Sequence, residues 1–235
     1  MKSNLPQISI IIPVWNEAKG ISPLLDYLNA AESEQRNVLE VICVDGGSTD
    51  GTLEVLETKE VTLVSAEKGR AKQMNTGARE AKADILYFLH ADTYPPKNFD
   101  THILEAIKNK SVAGCFRMQF DTQNPILRFF AWLSRINHTL CRGGDQSLFI
   151  QKDAFLASGG FNESYRIYED TEFITRLYAE NPFTILPHHV VTSARKYREK
   201  GWLKVQFHFA MIHLKNYLGA GPEELYQYYR KNILT

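Results

Sequence analysis

Short aliphatic and β-branched runs alternate with stretches of helical periodicity through the first half of the chain. Ile8-Ser9-Ile10-Ile11-Ile12 predicts a buried strand stopped by Pro13. Residues 21–33 predict a helix, with Ser22 placed to cap it and Pro23 in its first turn. Residues 39–44 predict a second strand, Asp50-Gly51-Thr52 the start of a second helix, and residues 61–64 a third strand. Residues 69–82 put Ala71, Met74, Ala78 and Ala81 on one helical stripe, most simply a core face, and residues 85–89 predict a fourth strand. Nearly continuous apolar strands alternating with helices belong to a sheet covered on both faces, so the fold expected is α/β with a mostly parallel sheet. Such sheets bind ligands beyond the carboxyl ends of their strands, which directs attention to the residues that follow each strand.

The second half is less regular. Residues 113–120 alternate well enough for a strand, residues 125–140 form an amphipathic helical pattern, and residues 147–150 give a short strand after the Gly143-Gly144 break. Residues 171–180 predict a helix, 183–186 a strand, 201–218 a long helix, and Pro222 the start of a last one. Residues 125–140 and 201–218 present apolar faces that fit either packing on the sheet or docking on a membrane surface, and packing is the expectation. No repeat or linker divides the chain, so a single domain is expected over residues 1–235.

Charge adds an exclusion. Lys plus Arg and Asp plus Glu number 27 each, so no global field favours nucleic acid, and any basic site is local. No run reaches the roughly 20 apolar residues of a membrane span. Residues 1–7 hold no apolar leader, and the three scattered cysteines form no disulfide or metal framework. A cytoplasmic protein is expected on these grounds, with peripheral contact at a membrane left open. Cys43 falls within an apolar run and reads as a core residue.

Candidate chemistry gathers after the strands. Asn16 and Glu17 follow the first, where Asn16 serves equally as a local cap. Asp45-Gly46-Gly47-Ser48-Thr49-Asp50 follows the second, a tight turn with an acceptor at the strand end and Ser48 or Asp50 free to cap the next helix. Gly69-Arg70-Ala71-Lys72 opens a helix with two cations, a setting suited to an anion, and Gly77 inside that helix implies a close neighbour. His90-Ala91-Asp92 follows the fourth strand and offers two metal-ligating side chains, although Asp92 before Pro95-Pro96 reads equally as a turn former. Asp170, beside Glu169, reads as a helix cap or as a general base. Arg195 lies in a cationic run that suits either a diphosphate or solvent.

Together these strings resemble the family-two glycosyltransferases. The resemblance rests on Ile11-Ile12-Pro13-Val14-Trp15-Asn16-Glu17-Ala18, on Val44-Asp45-Gly46-Gly47-Ser48-Thr49-Asp50-Gly51-Thr52, and on the Glu169-Asp170 pair. Gly69-Arg70-Ala71-Lys72-Gln73-Met74-Asn75, His90-Ala91-Asp92-Thr93, Gly144-Asp145-Gln146 and Ser193-Ala194-Arg195-Lys196-Tyr197 narrow it to a compact bacterial-type subgroup. It covers residues 8–202 and implies a GT-A fold, a Rossmann-like nucleotide-binding sheet with helices on both faces. Within it, residues 1–112 would form the nucleotide-sugar half and 113–235 the acceptor half.

The resemblance also implies the roles. Pro13, Asn16, Glu17, Asp45, Gly47, Arg70, Asn75, Asp145 and Arg195 would contact a nucleoside-diphosphate sugar, a UDP-sugar by family frequency. His90 and Asp92 occupy the Asp-x-Asp metal position, with a divalent Mn²⁺ or Mg²⁺ ion implied. His90 departs from the usual carboxylate there; imidazole ligates Mn²⁺ better than Mg²⁺, and His188 or His189 is a further candidate ligand. Asp170 matches the general base of an inverting displacement onto an acceptor hydroxyl. Two rivals stand beside this reading. A sugar-phosphate nucleotidyltransferase would require a glycine-rich loop where Pro13-Val14-Trp15-Asn16-Glu17 stands, and a non-catalytic nucleotide-sugar-binding protein would not need the three aspartates Asp45, Asp92 and Asp170.

Overall fold

A computed structural model describes residues 5–33 and 39–234. The leader-free reading of residues 1–4 lies outside them. The strands are β1 (Ile8–Val14), β2 (Leu39–Asp45), β3 (Thr62–Ser65), β4 (Ile85–Phe88), β5 (Thr93–Tyr94), β6 (Ala113–Phe120), β7 (Leu148–Gln151) and β8 (Phe183–Thr192). They form one eight-stranded sheet in the order β3-β2-β1-β4-β7-β6-β8-β5. The run β3-β2-β1-β4 is parallel, β7 is antiparallel to both its neighbours, β6 and β8 are parallel to each other, and β5 runs against β8. The sheet is therefore mostly parallel and continuous through both halves of the chain.

Ten helices connect and cover the strands among the described residues: α1 (Ile21–Ala31), α2 (Thr52–Glu57), α3 (Arg70–Glu80), α4 (Phe99–Lys108), α5 (Pro125–Leu133), α6 (Lys152–Ala157), α7 (Glu169–Glu180), α8 (Arg195–Lys200), α9 (Trp202–Tyr217) and α10 (Pro222–Tyr229). Alternate residues of β1 point into two separate cores. Ile10 and Ile12 pack with Leu24 and Leu28 of α1 and Ile103 of α4, whereas Ile11 packs with Met74 and Ala78 of α3 and with Phe173 of α7. The Ala71, Met74 and Ala78 stripe is core, and so is Cys43, whose thiol burial pushes up to about 12.

Gly77 brings α3 close to the sheet. A Cβ there would lie 2.5 Å from Ile11 Cγ2 and 3.0 Å from Val44 Cγ2, so only glycine permits this spacing. Gln73, one turn earlier, donates from Nε2 to the carbonyls of Val14 and Val44, both at 2.8 Å. It clips together the ends of β1 and β2, where the site begins.

Several boundaries differ from the sequence reading. β1 continues through Pro13 to Val14, because β4 pairs only as far as Ile11 and Phe88 and leaves that side of Pro13 without a ladder to complete. Gly20 rather than Ser22 occupies the N-cap of α1, with no side-chain cap, since Glu17 O already accepts from the N–H groups of Gly20 and Ile21. The same helix stops at Ala31, and Ser33 Oγ donates instead to Asp100 Oδ2 at 2.7 Å. The 125–140 pattern ends as a helix at Leu133 and resumes only as a 3-10 turn, Thr139–Cys141. β8 extends to Thr192, and α4, α6, α8 and β5 are additions. No helix among the described residues is long and apolar enough to cross a membrane.

Candidate active site

The loops after β1 and β2 are tied to each other. Asn16 sits in the left-handed region at φ 56°, where its Oδ1 accepts from Thr49 N–H at 2.8 Å. Its own N–H donates to Ser48 Oγ, the Glu17 N–H to Thr52 Oγ1, and the Ala18 N–H to Asp50 Oδ2. Asp45, buried at the end of β2, accepts from the N–H groups of Gly47 and Ser48. Gly47, at φ 85°, leaves open space where a Cβ would stand. These bonds hold the backbone beside Pro13, Asn16, Glu17, Asp45 and Gly47 in one rigid corner, and Asp50 also holds the first N–H of α2 at Thr52.

Next to this corner is a pocket of about 220 Å³ lined by Glu17, Ala91, Asp92, Tyr94, Asp121 and Arg195, among others. Arg195, at the start of α8, places Nη2 3.6 Å from Glu17 Oε1. Burial pushes the Glu17 carboxyl above its ordinary range; Arg195 opposes this and the Asp92 charge adds to it. Asp121 was not foreseen. It accepts from Ala194 N–H and pairs with Arg198 at 2.9 Å, bracing the end of β8 against α8. Glu17, Asp92 and Asp121 thus line a pocket that also holds the Arg195 guanidinium beside Glu17, a mixture of charges that suits a hard cation next to an anionic ligand.

The segment 90–92 joins this pocket to a second cluster. Asp92 lines the pocket, whereas His90 turns its ring to Asp170, with Nε2 3.6 Å from Oδ2, and to Asp145, with Nδ1 3.9 Å from Oδ1. α7 begins at Glu169 with Tyr168 at its N-cap, and no side chain caps it. Asp170 therefore serves as no cap, and its carboxylate faces His90. Burial pushes Asp170 upward, but His90 and Arg70 outweigh it and hold the carboxyl below its ordinary range. Burial likewise opposes charge on His90, yet Asp170 prevails and the imidazole titrates above its ordinary value.

Arg70, at the start of α3, places Nε 2.7 Å from Glu169 Oε1. Glu169 is 1% exposed, and the Arg70 guanidinium is its counter-charge. Burial drives the Glu169 carboxyl up against that attraction. Sequence reasoning missed this pair because nothing local announces a contact across 99 residues. Asn75, expected at the donor, has its amide engaged within the fold: Nδ2 donates to Phe161 O and Glu163 Oε1 while Oδ1 accepts from Phe161 N–H. Those bonds pin the 161–163 loop to α3. His188 stacks on His102 at 3.7 Å, and His189 lines a different pocket.

Comparison with known proteins identifies the family and the fold. The family model described as glycosyl transferase family 2 matches residues 9–153. Glycosyltransferase AglE of Haloferax volcanii is 34% identical over 102 residues, 40% of this chain and 33% of its own length. A glycosyltransferase of Haemophilus influenzae is 30% identical over 191 residues, 75% of this chain and 64% of its own. The chain thus spans between a third and two thirds of the length of these relatives. Among solved structures, the mannosyltransferase PcManGT of Pyrobaculum calidifontis, with GDP-Man and Mn²⁺, aligns with a TM-score of 0.69 at 20% identity, over 97% of this chain and 70% of its own. S. aureus TarS with UDP aligns at 0.67 and 19% identity, over 80% of this chain and 60% of that one. At such identities these structures establish the shared GT-A fold, and the family match establishes the rest: the chain belongs to glycosyl transferase family 2.

Proposed function

We propose that this protein transfers a sugar from a nucleoside-diphosphate sugar to an acceptor hydroxyl by a single inverting displacement, with Asp170 as general base. The observation that carries the reading is the 90–92 segment: one residue of it lines the carboxylate-rich pocket and another holds Asp170 ionised. A base must be unprotonated and within reach of the hydroxyl it serves. Asp170, kept below the ordinary carboxyl range inside the fold, meets the first condition at neutral pH.

The corner formed by Pro13, Asn16, Asp45 and Gly47 would receive the nucleoside. Arg195 would face the diphosphate, and Arg70 and Asp145 would border the sugar. Glu17, already drawn to Arg195, would lie between nucleoside and diphosphate. A divalent ion fits Asp92, whose pocket also holds the oxygen donors of Glu17 and Asp121. Among the described residues no three His, Cys, Asp or Glu side chains converge as a metal cage, so such an ion would complete its shell with diphosphate and water. When bound, it would supply positive charge to the departing diphosphate. His90, at the other end of the motif position, is engaged by Asp145 and Asp170, which favours Asp92 as the principal ligand.

Both UDP and GDP sugars accompany the structural neighbours, and UDP is the donor base proposed here. The test is incubation with UDP- and GDP-sugars, Mn²⁺ and simple hydroxyl acceptors, with NMR of the product's anomeric centre. Inversion with release of nucleoside diphosphate supports the reading; retention, or release of pyrophosphate, overturns it.

A further inference from the structure

The structure leaves two apolar stripes uncovered. On α9, Leu203, Phe207, Ala210, Leu214 and Tyr217 recur at helical spacing, and Leu218 follows just beyond the helix. All are exposed, Phe207 at 60% and Tyr217 at 86%. The opposite side of the helix is also apolar: Val205 and Ile212 are buried, and Trp202 and Phe209 pack beside them. On α5, Leu127 and Ala131 enter the same small core as Val205, while Ile126, Phe129 and Trp132 face outward, followed by Ile136 and Leu140. Packing on the sheet, expected from the sequence for both helices, covers the inner face of α5 against β6, whereas the inner face of α9 rests mainly on α8 and α10, and the outer face of each stays exposed.

Charge identifies what the exposed faces meet. No acidic residue occurs between Asp121 and Asp145, nor between Glu199 and Glu223. At the chain's average of 27 acids in 235 residues, about five would be expected in those 46 positions. The same segments carry Arg128, Arg135, Lys204 and Lys215. A second pocket, about 370 Å³, opens beside α5 and has Arg128, Trp132, Arg135 and His189 on its wall. Aromatic and aliphatic side chains turned outward on two segments that carry cations and no acids of their own match the interface of an anionic bilayer: apolar groups enter the acyl boundary, and Arg128, Arg135 and Lys204 meet the headgroups, while Lys215 is held by Glu224 of α10 at 2.7 Å. We propose that the α5 and α9 faces together form a docking surface for anionic lipid bilayers, with the Arg128–Arg135 pocket facing the headgroup phosphates.

The test is co-sedimentation of the full chain with vesicles of phosphatidylcholine and phosphatidylglycerol at three to one, against pure phosphatidylcholine. Wild type should sediment with the anionic vesicles and be weakened by 0.5 M salt, as the Debye screening of the cationic contribution requires. Arg128→Gln/Arg135→Gln should bind roughly twentyfold more weakly, at about a fivefold loss per cation. Leu203→Ser/Phe207→Ser should lose at least tenfold through buried apolar area. These side chains are exposed, so unchanged circular dichroism separates lost docking from lost folding. Wild type that fails to bind anionic vesicles at low salt, or variants that bind like wild type, would overturn the proposal. So would a dimer in sedimentation velocity that the Leu203→Ser/Phe207→Ser variant dissociates, since a second copy would then be the occupant.

Discussion

His90 Nε2 lies 3.6 Å from Asp170 Oδ2, with both residues largely enclosed and Asp145 on the far side of the imidazole. Each member pulls the other toward its charged form, so His90 titrates above its ordinary value and Asp170 below its own. A raised histidine contributes stability fully below its unfolded value of about 6.5 and loses it as pH rises through the folded value. A lowered aspartate contributes fully above about 3.9 and loses it as pH falls through the folded value. Both contributions coincide between about pH 4 and 6.5. His90→Asn should therefore lower the melting temperature by about 2–4 °C in that window, for a pair worth ~1 kcal/mol. The deficit should shrink by about pH 8. Melting curves of both proteins from pH 4.5 to 8.5 check this, and a deficit that does not vary with pH would refute it.

The Arg70–Glu169 pair behaves differently. Removing Arg70 leaves Glu169 buried without its counter-charge, a loss that reaches about 3–5 kcal/mol when both partners are fully buried. Arg70 is 42% exposed, so a smaller loss of ~2 kcal/mol is expected for Arg70→Met. Glu169 is held above its ordinary value, so its cost to the fold is absent below about pH 4.5 and grows as pH rises through the folded value. The Arg70→Met deficit should thus be larger at pH 8 than at pH 5. Urea titration at the two pH values measures it, and a larger deficit at pH 5 would contradict the assignment.

Gly77→Ala sets helix propensity against packing. Alanine is the better helix former by about 1 kcal/mol. Against that, its Cβ would meet Ile11 at 2.5 Å and Val44 at 3.0 Å, both in closed core positions of adjacent strands. Overpacking of that kind costs about 1–3 kcal/mol. The crowding should prevail and lower the melting temperature by a few degrees; a rise would show that α3 can lift from the sheet without penalty.

How far the sequence reveals this molecule depends on how local each signal is. The stripe through Ala71, Met74 and Ala78 gives α3 directly, and β1, apolar but for Ser9 and buried throughout, announces a sheet covered on two faces. α4 carries a similar stripe, Phe99, Ile103 and Ala106, but it follows Pro95-Pro96 and starts at Asn98 in a left-handed conformation without a side-chain cap. α6 is six residues long with only Phe155 buried, too short for a period to show. β8 passes through Pro187, His188 and His189, where exposure interrupts the apolar run, and its pairing with β6 shifts register after Phe116. Asp45 and Asp92 stand out in the sequence because they follow strands whose carboxyl ends a parallel sheet exposes. The Glu169 contact to Arg70, the Asp121 brace and the approach of His90 to Asp145 and Asp170 depend on where distant segments meet. Asn75 sits in the right string, yet its amide is taken by the 161–163 loop.

The most direct measurement is sugar transfer by Asp170→Asn, compared with wild type alongside the thermal shift each gives with nucleotide sugar and Mn²⁺. The substitution keeps the shape of the side chain and removes its basicity. Transfer should fall by at least about a hundredfold, the usual contribution of a general base, while the donor-induced shift, a matter of binding alone, persists. An Asp170→Asn protein that is folded, binds donor and transfers sugar at the wild-type rate would contradict the assignment of Asp170 as the base.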